Sequence, residues 1–444
     1  MKRMTTPAIS DAIGTLERQR AGKQWVERNF FVLMHRWTGL FLAVFLFISG
    51  LTGAVISWDH ELDEWLNPQL FEAQGGEGIP QSPLVLTERL EAADPRLLIT
   101  WVPLEVEPGH NLGLGVSSRL DPSTGKAFEL DFNQIALDPV DGEIRGKRMW
   151  GEISLSRENL LPFLYKLHYS MHIPNGFGIE LGILFMGILA IVWALDCFIA
   201  LWISFPNASA WRKSFAFRWR QGSSKRNFDL HRSGGVWVWV FLLILAVTAV
   251  SMNLKEEVMR PLVSLFSTLT PSPFTGTPNP PDQPIEPAVN RRAVLQLAAA
   301  EAKKLGWSKP PGGIFYVPEF GIYGVTFFEP GDDHGDIGLG NPSLYFNGKD
   351  GSPAGANVPG AGSAGDIFLQ AQFPLHSGRI LGLPGRIFIS AIGLLVAMLS
   401  VTGVIVWQKK RWARKKMIVG YQRQRRDELA TSREAGTIMN DMDA

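Results

Sequence analysis

Four long apolar stretches constrain the fold of this chain more than any other feature. Each is about 20 residues long and almost free of charge, which suits a helix that crosses a bilayer core of roughly 30 Å. The segments between them have the composition of soluble protein. The overall hydrophobic content of 46% is therefore an average over apolar stretches and more polar segments. We therefore predict four transmembrane helices, at residues 30–58, 179–205, 231–253 and 385–408.

Lysine and arginine residues predict the direction of these helices. Six of them lie in the N-terminal segment 1–29, six in the loop 206–230, and six open the tail 409–444. Short segments rich in these residues stay in the cytoplasm. We therefore expect both termini to be cytoplasmic and the long segments 59–178 and 254–384 to be exported. The first apolar stretch is long enough to remain as an anchor, rather than to be a cleaved signal peptide.

The chain also repeats itself. His35-Arg36 before the first stretch recurs as His231-Arg232 before the third, and Leu167-His168 before the second recurs as Leu375-His376 before the fourth. At the offset of the first match several further residues recur, namely Val44, Phe45, Leu46, Ile48 and Thr52 as Val240, Phe241, Leu242, Ile244 and Thr248. Both halves start in the cytoplasm, so the repeat is parallel and its axis follows the membrane normal.

The exported segments have α+β patterns. Residues 293–305 form an amphipathic helical pattern, and apolar runs flanked by turn residues indicate strands at 97–102, 127–137, 314–317, 323–328 and 344–347. A further short strand is expected after the turn at 138–144, and the Gly/Ala/Pro segment 351–365 is expected to be a loop. The polar tail 421–444 is expected to be disordered.

The motifs MHRWTGL, LHYSMH, DLHRSGG and PLHSGRILGLPGR resemble those of the PepSY-associated transmembrane proteins, especially the inner-membrane ferric-siderophore reductases of Gram-negative bacteria. The resemblance covers nearly the whole chain. It implies an integral membrane protein of the bacterial inner membrane, with a four-transmembrane-helix bundle of two parallel repeats and two α+β PepSY-like periplasmic modules. It also implies two b-type haems, each held by two histidines, that deliver electrons to ferric iron in the periplasm.

Span direction assigns the histidines to two pairs. His35 and His231 precede helices that run outward, so both lie near the cytoplasmic face. His168 and His376 precede helices that run inward, so both lie near the periplasmic face. We predict that His35 pairs with His231 and His168 with His376, since two axial imidazoles leave iron no open position and favour electron transfer. His172, one turn after His168 on the same face if the helix continues, is the alternative ligand or lines the substrate side.

Other polar residues are candidates for supporting roles. Arg36 and Arg232 are expected either to bind haem propionates or to anchor helix starts at the cytoplasmic face. Arg379 and Arg386 are candidates for the same role at the outer haem, or for attracting an anionic chelate. Asp196 lies deep in the second span, where a carboxylate is costly. It is expected to relay a proton, to pair with a cytoplasmic arginine, or to extend to the interface.

Two further groups of residues have open interpretations. Small residues in the spans allow close approach by a macrocycle or, more commonly, by a neighbouring helix, and these are Gly39, Gly50, Gly53, Gly234 and Gly235. The acidic segment 58–64, which also contains a histidine, could bind a metal, complete a substrate mouth or simply start a solvated helix. The single cysteine, Cys197, excludes an intrachain disulfide and a Cys-ligated iron–sulfur cluster.

The favoured function is electron transfer through two haems to a ferric siderophore in the periplasm. Ferrous iron binds hard oxygen ligands more weakly than ferric iron, so reduction releases the metal. The donor, cytoplasmic or within the membrane, is not indicated. The alternatives are a di-haem carrier with a quinone, a cupric ion or a redox partner as acceptor, and a non-enzymatic PepSY protein that modulates a protease or assembly. The net charge of +1 and the lack of a basic recognition element indicate no nucleic-acid partner, and lipid is the expected surrounding.

Overall fold

A computed structural model describes residues 6–74, 78–333, 335 and 337–442 of the chain. Its helices are α1 (Thr6–Ile56), α2 (Asp59–Leu66), α3 (Pro68–Phe71), α4 (Pro83–Ala93), α5 (Leu160–Ser170), α6 (Leu181–Ser204), α7 (Ser223–Asn253), α8 (Arg260–Ser264), α9 (Arg291–Lys304), α10 (Ala364–Gln370), α11 (Gln372–Ser377) and α12 (Leu383–Met442). Its strands are β1 (Leu97–Pro103), β2 (Leu112–Ser118), β3 (Gln134–Leu137), β4 (Ile144–Arg148), β5 (Pro311–Val317), β6 (Ile322–Phe327), β7 (Ser343–Asn347) and β8 (Pro353–Asn357).

Four of the described helices are long and apolar enough to cross a membrane, and the chain is a membrane protein with four candidate spans. The spans are Arg28–Ile56 in α1, Leu181–Ser204 in α6, Ser223–Asn253 in α7 and Leu383–Arg426 in α12. Each overlaps one of the predicted apolar stretches. Helix α12 continues to Met442, whereas the sequence predicted disorder from residue 421. The reason is composition, because this segment lacks proline and is rich in Arg, Gln, Glu and Ala, which favour helix.

All eight strands form one antiparallel sheet in the order β4-β3-β2-β1-β5-β6-β7-β8. The order shows the repeat directly, because each half contributes a helix followed by four strands, α4 with β1–β4 and α9 with β5–β8. The halves meet where β1 pairs with β5, with Trp101 opposite Phe315 and Val102 opposite Ile314. The two predicted modules therefore share one sheet.

The helices α4 and α9 cover the sheet and hold the halves together. Leu86 of α4 and Val294 of α9 are buried in one core with residues from six of the strands. Arg291 of α9 forms a bidentate ion pair with Glu91 of α4 at 2.8–2.9 Å and also donates to the carbonyl of Ile99 in β1. This region is the soluble α+β part of the molecule.

Two strands were missed from the sequence, and both have a physical reason. Strand β2 alternates glycine with leucine and valine, so its pattern is weak. Strand β8, in the segment expected to be a loop, lies at the sheet edge, where its proline and exposed side chains are tolerated. The strand expected over 127–137 is present only at its end, as β3.

The chain divides into two compact units whose boundaries fall inside the four long apolar helices. The first unit comprises Met1–Ile48, Val192–Leu242 and Leu395–Ala444, and the second comprises Ser49–Ile191 and Leu243–Leu394. One predicted histidine pair lies in each unit, and the whole sheet lies in the second.

Candidate functional site

His35 and His231 face each other in the first unit. His35 extends from α1 and His231 from α7, and their ring centres are 6.2 Å apart with the ring planes inclined at 37°. Both residues are half-buried. The structure therefore brings together two histidines that lie 196 positions apart and occupy equivalent places in the repeat.

His168 and His376 face each other in the second unit, with ring centres 6.1 Å apart and planes inclined at 66°. Each lies in the last turn of a short helix, α5 or α11, that ends in a residue with left-handed backbone conformation. Burial lowers the pKa of His168 to about 4. Burial, together with the neighbouring His168, lowers the pKa of His376 to about 3. Both imidazoles are therefore neutral near pH 7, which is the form that binds metals.

Two threonines orient the His168–His376 pair. Nδ1 of His168 lies 3.1 Å from Thr52 Oγ1, and Nδ1 of His376 lies 2.8 Å from Thr248 Oγ1. Each hydroxyl donates its own proton to a carbonyl of its own helix, at 3.3 and 2.8 Å. A hydroxyl oxygen whose proton is used in this way can accept from Nδ1, and the ring then keeps its lone pair on Nε2.

The His35–His231 pair is held by different acceptors. Both carboxylate oxygens of Asp196 lie within 2.9–3.0 Å of His35 Nδ1, and Asp196 is only 6% exposed. His231 Nδ1 donates to the carbonyl of Leu399 at 3.0 Å, with Thr402 Oγ1 at 3.4 Å. A carboxylate and a carbonyl only accept, so in this pair too the lone pair is on Nε2. Asp196, expected as a proton relay, an arginine partner or an interfacial group, is thus the partner of a histidine.

This arrangement fits a metal between the rings of each pair. Two metal–imidazole bonds of about 2 Å, with about 1.1 Å from each nitrogen to its ring centre, separate the centres by about 6 Å. The observed 6.2 and 6.1 Å match that value. Among the described residues, each of the four rings is held by a hydrogen bond at Nδ1. Metal-binding histidines characteristically donate their second ring N–H to a carboxylate, a carbonyl or another acceptor in this way.

One histidine of each pair packs against a Thr-Gly step in a span. A Cβ atom at Gly53 would lie 2.9 Å from Cε1 of His168, and a Cβ atom at Gly403 would lie 2.9 Å from Cε1 of His231. Both distances are below normal contact, so a side chain at either position would push the ring away. Gly53 was a candidate from the sequence, whereas Gly403 was missed.

The remaining candidate glycines have ordinary surroundings. The peptide oxygen of Gly50 lies 2.6 Å from the Cβ position of Gly393, which is close helix packing. Cβ atoms at Gly39, Gly234 and Gly235 would meet their nearest neighbours at 3.8–3.9 Å, an ordinary van der Waals distance.

His172 lies apart from the His168–His376 pair. Helix α5 ends at Ser170, and Met171 and His172 both have a φ of 52°, so the helix does not continue. The ring of His172 stacks on Phe163 with centres 4.6 Å apart, and its Nε2 lies 2.9 Å from the Phe163 carbonyl. The helical spacing on which the alternative ligand depended is therefore absent, because the helix ends between the two histidines.

The candidate arginines of the first unit differ in their contacts. Arg232 donates to the carbonyl of Lys213, lies 3.7 Å from Asp229 and stacks over Phe228. Arg36 is half-buried and makes no side-chain hydrogen bond or ion pair within the described part of the chain. Of the two, Arg36 is the better placed to bind an anionic group such as a propionate.

In the second unit Arg386 and Arg379 are buried and engaged with acidic residues of α2. Arg386 donates to the carbonyl of Ser57 at 2.7 and 2.9 Å and to Glu61 at 2.7 Å, and it stacks over Trp58. The hydrogen bond from Arg386 lowers the pKa of Glu61 below its ordinary value. Arg379 lies 3.9 Å from Asp59. The segment 58–64 is thus the start of a helix whose acidic side chains form ion pairs.

A cavity of about 570 Å³ lies in the second unit beside the sheet. Arg379, which follows His376 by three positions, and Arg386 contribute to its wall. The remaining wall includes apolar, acidic and histidine side chains, among them Trp101, Phe328, Glu107, Asp332, His60 and His110. This mixed lining suits a polar ligand of small-molecule size.

The threonines and the Asp196 contact were missed by sequence reasoning. Thr52 and Thr248 recur at the repeat offset, so a signal was present, but it did not reveal which histidine each would contact. The contact between His35 and Asp196 joins two helices, and nothing in the sequence fixes their relative register.

Comparison with known families identifies the chain's relationship. The model of the PepSY-associated TM region matches residues 32–410, which includes all four paired histidines. No protein with a curated description matches the chain.

Proposed function

The chain belongs to the PepSY-associated TM region family, and we propose that it is a di-haem oxidoreductase that carries electrons across the bacterial inner membrane to a ferric siderophore. In this proposal both termini are cytoplasmic and the sheet is periplasmic. The observation that carries the proposal is the pair of facing imidazoles in each unit, with ring centres 6.2 and 6.1 Å apart and every Nδ1 held by an acceptor.

Two histidines per site suit haem better than a bare metal ion. Among the described residues there is no group of three or more His, Cys, Asp or Glu side chains that could hold a metal. A metal bound by two imidazoles therefore needs further ligands, which a macrocycle brings with it. When bound between two imidazoles, haem supplies one-electron transfer and leaves no open iron position for dioxygen.

The residues of this chain define the sites. His35 with His231 would hold one haem, and His168 with His376 the other. The acceptors at Nδ1 fix the tautomer and orientation of each ring. Gly53 and Gly403 allow one ring of each pair to lie directly against a helix backbone. Arg36 is the favoured partner for a propionate.

The cavity beside the sheet supports reduction of a bulky polar acceptor. Its wall includes Arg379, which is linked to His376 by three peptide units. Guanidinium groups bind the carboxylate and oxyanion groups of chelates. One electron converts Fe³⁺ in the chelate to Fe²⁺, which hard oxygen ligands bind more weakly, so the chelate can release it. No side chain has to act as an acid or base in this step.

The acceptor is tested with purified full-length protein in detergent, reduced anaerobically and mixed with a ferric trihydroxamate or a ferric tricatecholate. We expect the absorption spectrum to show that the haem is reoxidised. A ferrous-specific chelator should trap one Fe²⁺ for each electron that the haem loses. The gallium chelate of the same shape is the control, since it cannot be reduced under these conditions. Reoxidation by a quinone or Cu²⁺, without reoxidation by either ferric chelate, would assign a different acceptor.

A further inference from the structure

The two histidine pairs differ in the charge of one hydrogen-bond acceptor. Three of the four Nδ1 atoms face neutral oxygens, which belong to Thr52, Thr248 and the Leu399 carbonyl. The fourth, in His35, faces the carboxylate of Asp196 through both oxygens. The difference breaks the symmetry of the repeat at a position next to a candidate ligand.

Asp196 is enclosed by its neighbours in the first unit. Its side chain is 8% exposed, and the adjacent Cys197 is buried. The carbonyl of Cys197 accepts a hydrogen bond from Trp239 Nε1 at 2.8 Å, which fixes α6 against α7 at this level. A charge acts more strongly in such a low-dielectric surrounding than in water.

A carboxylate on the far nitrogen changes the imidazole as a ligand. It draws the Nδ1 proton toward itself and raises the basicity of the ring, so Nε2 becomes a stronger electron donor. A stronger donor and a nearby negative charge both stabilise oxidised iron over reduced iron. Hydrogen bonding and charge beside the axial ligands are among the means by which proteins set haem potentials. A threonine hydroxyl or a peptide carbonyl has the weaker effect of a neutral dipole.

We propose that Asp196 is a potential-setting residue that makes the haem at His35–His231 the lower-potential one of the two. The inference rests on the proposed di-haem function and adds a direction to it. With haem bound at both sites, the site held by His35 and His231 would be the electron donor and the site held by His168 and His376 the acceptor, so the one-electron oxidation of the first would be balanced by the one-electron reduction of the second. The charge of Asp196 thereby directs electrons toward the unit that contains the sheet and its cavity.

The test is a redox titration of single-haem variants of the full-length protein, followed by absorption spectroscopy. His376→Ala retains the haem at His35–His231, and His231→Ala retains the other. We expect the remaining haem in His376→Ala to have the lower midpoint potential. Adding Asp196→Asn, which keeps an acceptor oxygen and removes the charge, should raise that potential by about 59 mV or more, a tenfold shift for one electron.

A matched control and the contrary outcomes separate the two proposals. Asp196→Asn in the His231→Ala background should leave the remaining potential unchanged. Haem present in both single variants, with no shift on Asp196→Asn, would overturn the role of Asp196 and leave the di-haem proposal intact. If Asp196→Asn loses haem, the inference is tested by comparing the midpoint potentials of His376→Ala and His231→Ala. A higher potential for the haem at His35–His231 than for the haem at His168–His376 overturns the inference. Colourless wild-type protein overturns the proposed function itself.

Discussion

The His35–His231 and His168–His376 pairs have almost the same ring separation but are built from different elements. The first pair lies on two long apolar helices, α1 and α7, whereas the second lies on two short helices, α5 and α11, that dock beside spans. Their separations of 6.2 and 6.1 Å agree, while the acceptors behind the rings do not. The shared ring separation is what the proposed metal between the rings requires, and the surroundings are where the two sites differ in chemistry.

The repeat explains why the two histidines of the His168–His376 pair have the same kind of hydrogen-bond partner. Thr52 and Thr248 occupy equivalent positions and hold the two histidines of the same pair. Asp196 is different, since it places a carboxylate at His35. His168, His231 and His376 each have a neutral oxygen at Nδ1 instead. A substitution at one pair can therefore be compared with the matching substitution at the other pair as its control.

Removal of a paired histidine should have the largest effect on haem content. His231→Ala and His376→Ala should each lower the haem-to-protein ratio from about two to about one, because iron loses an axial bond in only one site. The ratio is measured by haem extraction against protein concentration. His172→Ala is the control and should keep both haems. The comparison fails if His172→Ala loses a haem that His168→Ala retains.

Enlarging a glycine should weaken one site and spare the other. Gly403→Ala is expected to displace His231, and Gly53→Ala to displace His168, since each new Cβ would lie 2.9 Å from the ring. Overpacking of this kind costs about 1–3 kcal/mol, which is about fivefold to 150-fold in haem affinity. Haem retention during titration with apomyoglobin measures the loss. Gly235→Ala, where the nearest atom is 3.9 Å away, should have no effect.

The threonines should give the smallest effect. Thr248→Val removes the acceptor of His376 Nδ1 and is expected to cost about 1 kcal/mol, roughly fivefold in haem affinity at that site. Thr402→Val should cost less, because the Leu399 carbonyl remains 3.0 Å from His231 Nδ1. Equal losses in the two variants, measured by the same haem-transfer titration, would show that the threonine contact does not explain the orientation of His376.

Much of the architecture was predictable, because the length of an apolar stretch and the recurrence of a motif can be read directly from the sequence. The four spans and the helix α9 follow from such patterns. The joining of two modules through β1 and β5 was not predictable, since pairing between edge strands depends on how distant segments meet. The same reason hid the partner of His35, because Asp196 is 161 positions away on a helix whose register no sequence pattern fixes. The end of α5 at Ser170, on which the alternative role of His172 depended, left no strong signal in the sequence.

The central claim is that each pair of imidazoles holds one haem iron. The most direct test is the absorption spectrum and haem content of the full-length protein, purified in detergent from cells supplied with haem. We predict about two b-type haems per chain, with sharp low-spin bands on reduction that carbon monoxide does not change, since both axial positions are filled. Colourless protein, or reduced haem that binds carbon monoxide at either site, would contradict the claim.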